Sequence, residues 1–160
     1  MNELIAHFKS LPILKKAVLI FCVFSISLAC TIELWWLSNA DQLPRLVAHG
    51  SLLARGFRLY GQADPSYFHV TALSQFLEGF NVFVTQPLLI YIGMSIWESR
   101  PTHKLQLAVG SYLTYSVVFY YAYTVMAYGL PSGLPAILFW GTNAPWLLGG
   151  VLLIISGWRE

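Results

Sequence analysis

The stretch FLEGFNVFVTQPLL, residues 76–89, places four residues that lipid does not favour inside an otherwise apolar run. They are Glu78, Asn81, Thr85 and Pro87. Steps of three and four residues put the first three on one helical face. A polar face on a membrane-crossing helix must turn inward, because a carboxylate in lipid costs about 3 kcal/mol or more. The stretch therefore predicts a membrane helix that faces a buried site.

The composition of the chain also points to a membrane. Of its 160 residues, 57% are hydrophobic and 10% are charged, whereas about a quarter of the residues in a soluble domain are charged. Four segments are long enough to cross a bilayer, namely 17–37, 70–97, 105–128 and 134–156. The expected fold is all-α: an integral membrane four-helix bundle with an intramembrane pocket. Residues 1–16 are expected to form a cytoplasmic N-terminal segment, and 17–157 the four-span domain.

Basic residues set the expected orientation. Six lie at the two ends and in the 98–104 loop, and three lie in the 38–69 loop. This excess predicts that both termini face the cytoplasm, across the endoplasmic reticulum membrane of a eukaryote or the inner membrane of a bacterium. The net charge of +2 is too small to suggest a nucleic-acid partner. Residues 44–60 are expected to form an interfacial helix, or a connector resting on the headgroups.

The other spans supply a second acid, an amide and aromatic rings. Glu33 lies near the end of the first span, with Trp36 close to it, and Asn143 shares a face of the last span with Trp146. Tyr115 belongs to an aromatic stripe in the third span. Plainer roles suit these residues too: amides and hydroxyls join membrane helices, a glutamate near a span's end can snorkel, and aromatic stripes often only pack.

The predicted pocket would hold two carboxyls and no cationic side chain, because no Lys or Arg falls inside the four spans. No His falls there either, so neither a metal site nor a His-activated nucleophile is expected. A buried carboxyl can remain protonated and act as an acid. Carboxylates and aromatic faces would also stabilise a carbocation or a cationic amine. The pocket therefore suits protonation of an alkene or binding of an amine.

Residues 64–88, DPSYFHVTALSQFLEGFNVFVTQPL, resemble the second-span region of the EXPERA superfamily, in particular the emopamil-binding proteins, which are sterol Δ8–Δ7 isomerases. The similarity lies in Asp64, Tyr67, Glu78 and Pro87. TIELWW resembles the first acidic helix of that family. QLAVGSYLTYSVVFYY and LFWGTNAPWLLGG resemble its last two spans. The sigma-two receptor group shares this four-span plan, which would cover about residues 15–157.

The resemblance implies an isomerase, or a cyclase, that protonates a C=C bond of a sterol or terpenoid. Glu33 and Glu78 would exchange the proton, Asn143 would orient one of them and Trp146 would shield the cation. The residues expected to contact substrate are Trp36, Tyr67, Asn81, Thr85, Tyr115 and Trp146. No cofactor is expected. The expected partners are a hydrophobic small molecule and membrane lipid, with a homodimer as one option.

Two departures from the family pattern bear on this expectation. The emopamil-binding proteins carry a histidine one turn before the first acid, where this chain has Ala29, and an acid in the third span, where this chain has Val117. Loss of the histidine removes part of a proton relay. A non-catalytic sterol-, lipid- and amine-binding protein of the sigma-two type is therefore the alternative, and a small structural subunit is a third.

Overall fold

A computed structural model describes residues 2–159, and within that range every regular element is helical. The expectation of an all-α chain is confirmed. The helices, in chain order, are α1 (Asn2–Ser10), α2 (Ile13–Leu28), α3 (Leu34–Asn39), α4 (Leu43–Ala48), α5 (Leu52–Tyr60), α6 (Pro65–Phe68), α7 (Ala72–Phe80), α8 (Gln86–Trp97), α9 (His103–Tyr128) and α10 (Leu134–Arg159). The segment expected to precede the first span is itself helical, as α1 and the start of α2.

Three helical stretches of the described chain are long and apolar enough to cross a membrane: Ile13–Ala48, Ala72–Trp97 and Leu134–Arg159. Only 22–33% of the most apolar window in each stretch is buried inside the protein. Many of the side chains left on the outside are large and apolar, such as Val23, Phe83 and Ile137. Helices with such an outer surface need an apolar surrounding, so the chain is compatible with an integral membrane protein.

Helix α9 is as long as two of these stretches but is not one of the three. Its 26 residues include six tyrosines, together with His103, Lys104 and Gln106 near its beginning. These residues lower its mean hydropathy, although a tyrosine side chain is mostly ring and packs well at membrane depth. Composition therefore establishes three candidate spans rather than the four that were predicted.

Helices α9 and α10 pack antiparallel, with glycines at their closest approach. A Cβ atom on Gly110 would lie 2.6 Å from the carbonyl oxygen of Gly150, and one on Gly157 would lie 2.7 Å from that of His103. Contacts between 110 and 150 and between 103 and 157 are those of an antiparallel pair. Small residues at such sites let membrane helices approach closely and gain van der Waals contact.

Helix α2 packs against both α8 and α10. Phe21 fills the space above Gly149, where an added Cβ would lie 2.0 Å from its ring. Val18, Leu89 and Leu153 belong to the same buried cluster, in which residues of α2, α8, α9 and α10 meet. These contacts join α2, α8, α9 and α10 in one packed core.

Two π-helical turns interrupt the spans. Residues Ala29–Glu33 follow α2, and Asn81–Thr85 precede α8. In the first turn the Leu34 N–H donates to the Ala29 carbonyl, and in the second the Gln86 N–H donates to the Asn81 carbonyl. Such i→i+5 bonds widen a helix and often mark functional sites. The two turns contact each other, so two irregular stretches of neighbouring spans meet.

The segment after α3 forms short helices rather than the single helix expected at 44–60. Helix α4 ends at Ala48, and the chain turns at Gly50, whose φ of 81° glycine adopts without strain. Ser51 then caps α5 by accepting the N–H of Ala54. After α5, the side chain of Asp64 caps the single turn of α6. The prediction of a continuous helix is wrong because it overlooked the glycine turn.

Candidate functional site

A cavity of about 620 Å³ lies between the π turns, α5, α9 and α10. Glu33 and Glu78 both line it, together with Asn81, Asn143 and Trp146. The rest of the lining is apolar, aromatic or uncharged, and none of the described residues around the cavity is Lys, Arg or His. Two carboxyls from separate spans therefore share one largely apolar chamber of a size suited to a small hydrophobic ligand.

The Glu33 carboxyl is held by a hydrogen bond across the two π turns. The side-chain nitrogen of Asn81 donates to Glu33 Oε2 over 2.7 Å. The oxygen of the same Asn81 amide accepts from the side-chain nitrogen of Gln86 over 3.1 Å. Glu33 is the last residue of the first π turn and Asn81 is the first residue of the second. The irregular backbone thus places an amide directly against the acid.

The Glu78 carboxyl has one partner and one free oxygen. The hydroxyl of Tyr67 donates to Glu78 Oε1. Glu78 Oε2 is buried and has no hydrogen-bond partner among the described residues. A buried oxygen without a partner is costly, and this one belongs to a residue of the cavity wall. The described part of the protein therefore leaves this oxygen without a donor.

Aromatic rings form one wall of the cavity around Tyr67. Its ring lies 5.0 Å from that of Trp36 and 5.2 Å from that of Tyr60, measured between centroids. The indole N–H of Trp36 donates to the Tyr67 carbonyl over 3.0 Å. Trp146 approaches the cavity from α10, edge-on to Phe24 at 5.8 Å. The faces of such rings carry negative charge density and favour a nearby cation.

A second buried acid lies behind this wall. Asp64 is fully buried, and its carboxylate accepts hydrogen bonds from the hydroxyls of Tyr120 and Ser66. Burial raises the pKa of Asp64 above its ordinary value, and the two hydroxyls partly oppose that shift. Asp64 does not line the cavity itself, but Tyr120 does. The acid therefore links the beginning of α6 to α9 through these hydrogen bonds.

The structure brings together most of the residues that the sequence predicted for the site. Glu33, Glu78 and Asn143 all line the cavity, as do Trp36, Tyr67, Asn81 and Trp146. Asn143, however, is not hydrogen-bonded to either glutamate: its nitrogen donates to the Tyr60 hydroxyl over 3.0 Å and to the Phe139 carbonyl over 3.2 Å. The expectation that Asn143 orients a carboxyl is corrected, since Asn81 holds that position.

Two predicted contact residues lie elsewhere. Thr85 is buried, but it does not border the cavity. Tyr115 is 68% exposed and stacks on Phe119 on the outer side of α9. Neither residue is placed to touch a ligand in the chamber.

Sequence reasoning also missed one residue that lines the site and two that lie behind its wall. Gln86 and Ser25 were not singled out, although a glutamine directly before Pro87 in an apolar run was a signal. Tyr60 was overlooked because it falls in the loop between spans. Apart from Pro87, which cannot donate a backbone hydrogen bond, nothing in the sequence indicated the π turns.

No protein-family model and no curated protein matches the chain. Its chemistry must therefore be judged from the site itself. The arrangement offers two carboxyls for proton transfer, an amide that holds one of them, and aromatic faces that stabilise positive charge.

Proposed function

We propose that the chain is a cofactor-independent membrane enzyme that protonates a C=C bond of a sterol or terpenoid and shifts or cyclises it. The proposal takes α9 as a fourth span, packed along α10 in a four-helix bundle around an intramembrane pocket. Both termini would face the cytoplasm. Tags at the two ends, probed in sealed vesicles, should be accessible from the same side, and opposite sides would exclude a four-span topology.

One observation carries the proposal: Glu33 and Glu78 line the same apolar cavity, with no cationic side chain among the residues around them. Two acids placed in this way have no structural counter-charge, and an acid is retained at membrane depth when a function compensates for its cost. The resemblance to the EXPERA superfamily, described above from its motifs, is consistent with this use of the two carboxyls.

The reaction would need only a proton and the electrons of the substrate. One carboxyl gives its proton to an alkene carbon, so that the π electrons form the new C–H bond and leave a carbocation. The aromatic wall stabilises that cation. The second carboxyl then removes a proton from a neighbouring carbon, and the released electron pair forms the shifted double bond. Oxidation state does not change, and one proton has moved from one acid to the other.

The test is turnover in heavy water. Purified protein in lipid nanodiscs is incubated with a panel of sterol and polyprenoid alkenes in D₂O, and the products are analysed by mass spectrometry. We expect deuterium in the rearranged product of at least one alkene. Glu78→Gln should lower that turnover by a factor of about 10² or more, the usual scale for loss of a general acid or base. Full turnover in the variant would exclude a catalytic Glu78.

The second candidate function is non-catalytic binding of lipids and hydrophobic amines, as in the sigma-two receptor group. The unpartnered Oε2 of Glu78 favours it, because that oxygen could accept a hydrogen bond from an ammonium group. Binding of an amine that Glu78→Gln abolishes, without deuterium in any alkene of the panel, would support the binding protein over the enzyme. Unchanged amine affinity together with full alkene turnover in the variant would exclude both uses of Glu78.

A further inference from the structure

We infer that Gln86 and Ser25 are positioning residues that fix which oxygen of Glu33 exchanges a proton. This inference rests on the proposed function, since it assigns a task within proton transfer. Neither residue lines the cavity. Both are buried, Gln86 at 4% exposure and Ser25 at 0%. Their hydrogen bonds connect them to the cavity wall through Asn81 and Glu33.

The hydrogen bonds of this polar chain have a direction. The Ser25 hydroxyl lies within 3.2 Å of Gln86 Oε1 and can donate to it, and Gln86 Nε2 donates to Asn81 Oδ1 over 3.1 Å. Asn81 Nδ2 donates in turn to Glu33 Oε2 over 2.7 Å. Each amide thus accepts from the residue behind it and donates to the residue ahead. Gln86 Nε2 can also donate back to the Ser25 oxygen over 3.0 Å, so the direction toward the acid is set by the two steps from Gln86 to Asn81 and from Asn81 to Glu33.

The direction matters because an amide has two different ends. Without Gln86, the Asn81 amide could turn over and present its oxygen to Glu33, which would then have to donate rather than accept. With Gln86 in place, the Asn81 oxygen is already engaged and its nitrogen must face Glu33. Glu33 Oε2 is then occupied by an N–H donor. The other oxygen, Oε1, is left as the atom that holds or accepts the exchangeable proton.

The second π turn is what makes this contact available. Gln86 is five residues after Asn81, and an i→i+5 turn places residues at that spacing above one another. In an ordinary helix the residue above Asn81 would be Thr85, whose buried hydroxyl has no hydrogen-bond partner among the described residues. The glutamine and the π turn therefore act together. Ser25 adds a contact from α2 and lies 3.0 Å from Gln86 Nε2 as well.

The experiment reads the Glu33 carboxyl directly by infrared spectroscopy. The carboxyl and carboxylate stretching bands of the full-length protein in nanodiscs are recorded, and the Glu33 band is assigned by its disappearance in Glu33→Gln. Gln86→Leu removes the amide behind Asn81 at similar volume. We expect its Glu33 band to shift and broaden, because the carboxyl loses a uniquely oriented donor. This measurement needs no substrate.

Gln106→Leu is the matched control. Gln106 is also fully buried and donates to the side chain of Thr102 over 2.6 Å, but it lies on α9 away from the cavity. Its replacement removes the same amide from the same protein, so the Glu33 band should stay where it is. An unmoved band in Gln86→Leu, or an equal shift in Gln106→Leu, would overturn the inference.

Ser25→Ala provides a second test in case Gln86→Leu does not fold. Ser25→Ala removes only the hydroxyl behind Gln86, and it should move the Glu33 band in the same direction by a smaller amount; a fixed band there would equally refute the positioning role. With an alkene that is turned over in D₂O, Gln86→Leu should reduce kcat by roughly 10- to 100-fold and leave KM unchanged, as expected for a misplaced reacting group. If the Glu33 band shifts in Gln86→Leu but no alkene is turned over, the positioning of Glu33 by this polar chain is supported and only the proposed enzymatic function is refuted.

Discussion

The hydroxyl of Tyr67 is the only hydrogen-bond donor to Glu78 within the described part of the chain, and its removal gives a sharp test of the site. In Tyr67→Phe the ring remains, and with it the contacts to Trp36 and Tyr60 at 5.0 and 5.2 Å. Only the oxygen is lost. Both oxygens of Glu78 would then lack a partner, because Oε2 already has none within residues 2–159.

The expected loss of stability follows from the number of Glu78 oxygens that lose a hydrogen-bond donor. One buried acceptor left without its donor costs roughly 1–3 kcal/mol, and more if it is charged. For a protein of this size each kcal/mol lowers the melting temperature by about 2–4 °C. Tyr67→Phe should therefore melt roughly 2–12 °C below the wild type. The ring contributes nothing to this difference, since it is kept.

Thermal unfolding in one detergent, followed by intrinsic fluorescence, measures the effect. Tyr115→Phe is the matched control, because that hydroxyl lies on a side chain that is 68% exposed; its melting temperature should stay within about 1 °C. The double variant Tyr67→Phe, Glu78→Gln completes the cycle. In the Glu78→Gln background the loss of the hydroxyl should cost less, because no carboxyl is left behind. Equal melting temperatures for Tyr67→Phe and Tyr115→Phe would refute the pairing.

Three further predictions concern packing, pH and the loop. Gly149→Ala should destabilise the fold by about 1–3 kcal/mol, because the added Cβ would lie 2.0 Å from the Phe21 ring. Gly141 has open space around it, so Gly141→Ala should be neutral or stabilising in the same melting assay. The pKa of Asp64 is raised in the folded protein, so the contribution of Asp64 to stability is greatest below its unfolded pKa and declines as pH rises. The melting temperature of the wild type minus that of Asp64→Asn should therefore fall from acidic to neutral pH. A difference that rises with pH would contradict this assignment. Spin labels at Leu52, on the cavity side of α5, and at Arg55 should report different depths in a bilayer, and equal aqueous accessibility would show that α5 is not interfacial.

The sequence indicated where the two acids would lie, because an acid exposed to lipid is costly. Glu78 stands out in an apolar run, and no basic residue in any span can neutralise it, so an inward direction was the consistent placement. Glu33 followed from the same reasoning in the first span. Both line the cavity. Fold class followed from hydropathy alone, although the polar character of α9 limits the count of spans established by composition to three.

The errors came from backbone irregularity that periodicity does not encode. A regular helix would carry Thr85 on the same face as Glu78 and Asn81, but the second π turn has more residues per turn and directs Thr85 elsewhere. On α9 the cavity face is formed by Tyr112, Leu113, Ser116, Val117 and Tyr120, whereas Tyr115 does not line the cavity. Asn143 was assigned the amide contact that belongs to Asn81, because contacts between spans depend on how helices are rotated against each other.

The two π turns also affect how this chain can be compared with others. A π turn closes its hydrogen bond over five residues where an ordinary turn uses four, so it acts as a one-residue insertion whose flanking helices keep their direction. Deleting one residue from Asn81–Thr85 would restore a regular helix and preserve the packing on either side. A relative with a regular helix at this place would therefore align with this chain only through a single-residue gap inside a span. That gap would fall beside Asn81, where the two acidic spans meet, so ungapped alignment would shift the residues of the site on one side of it.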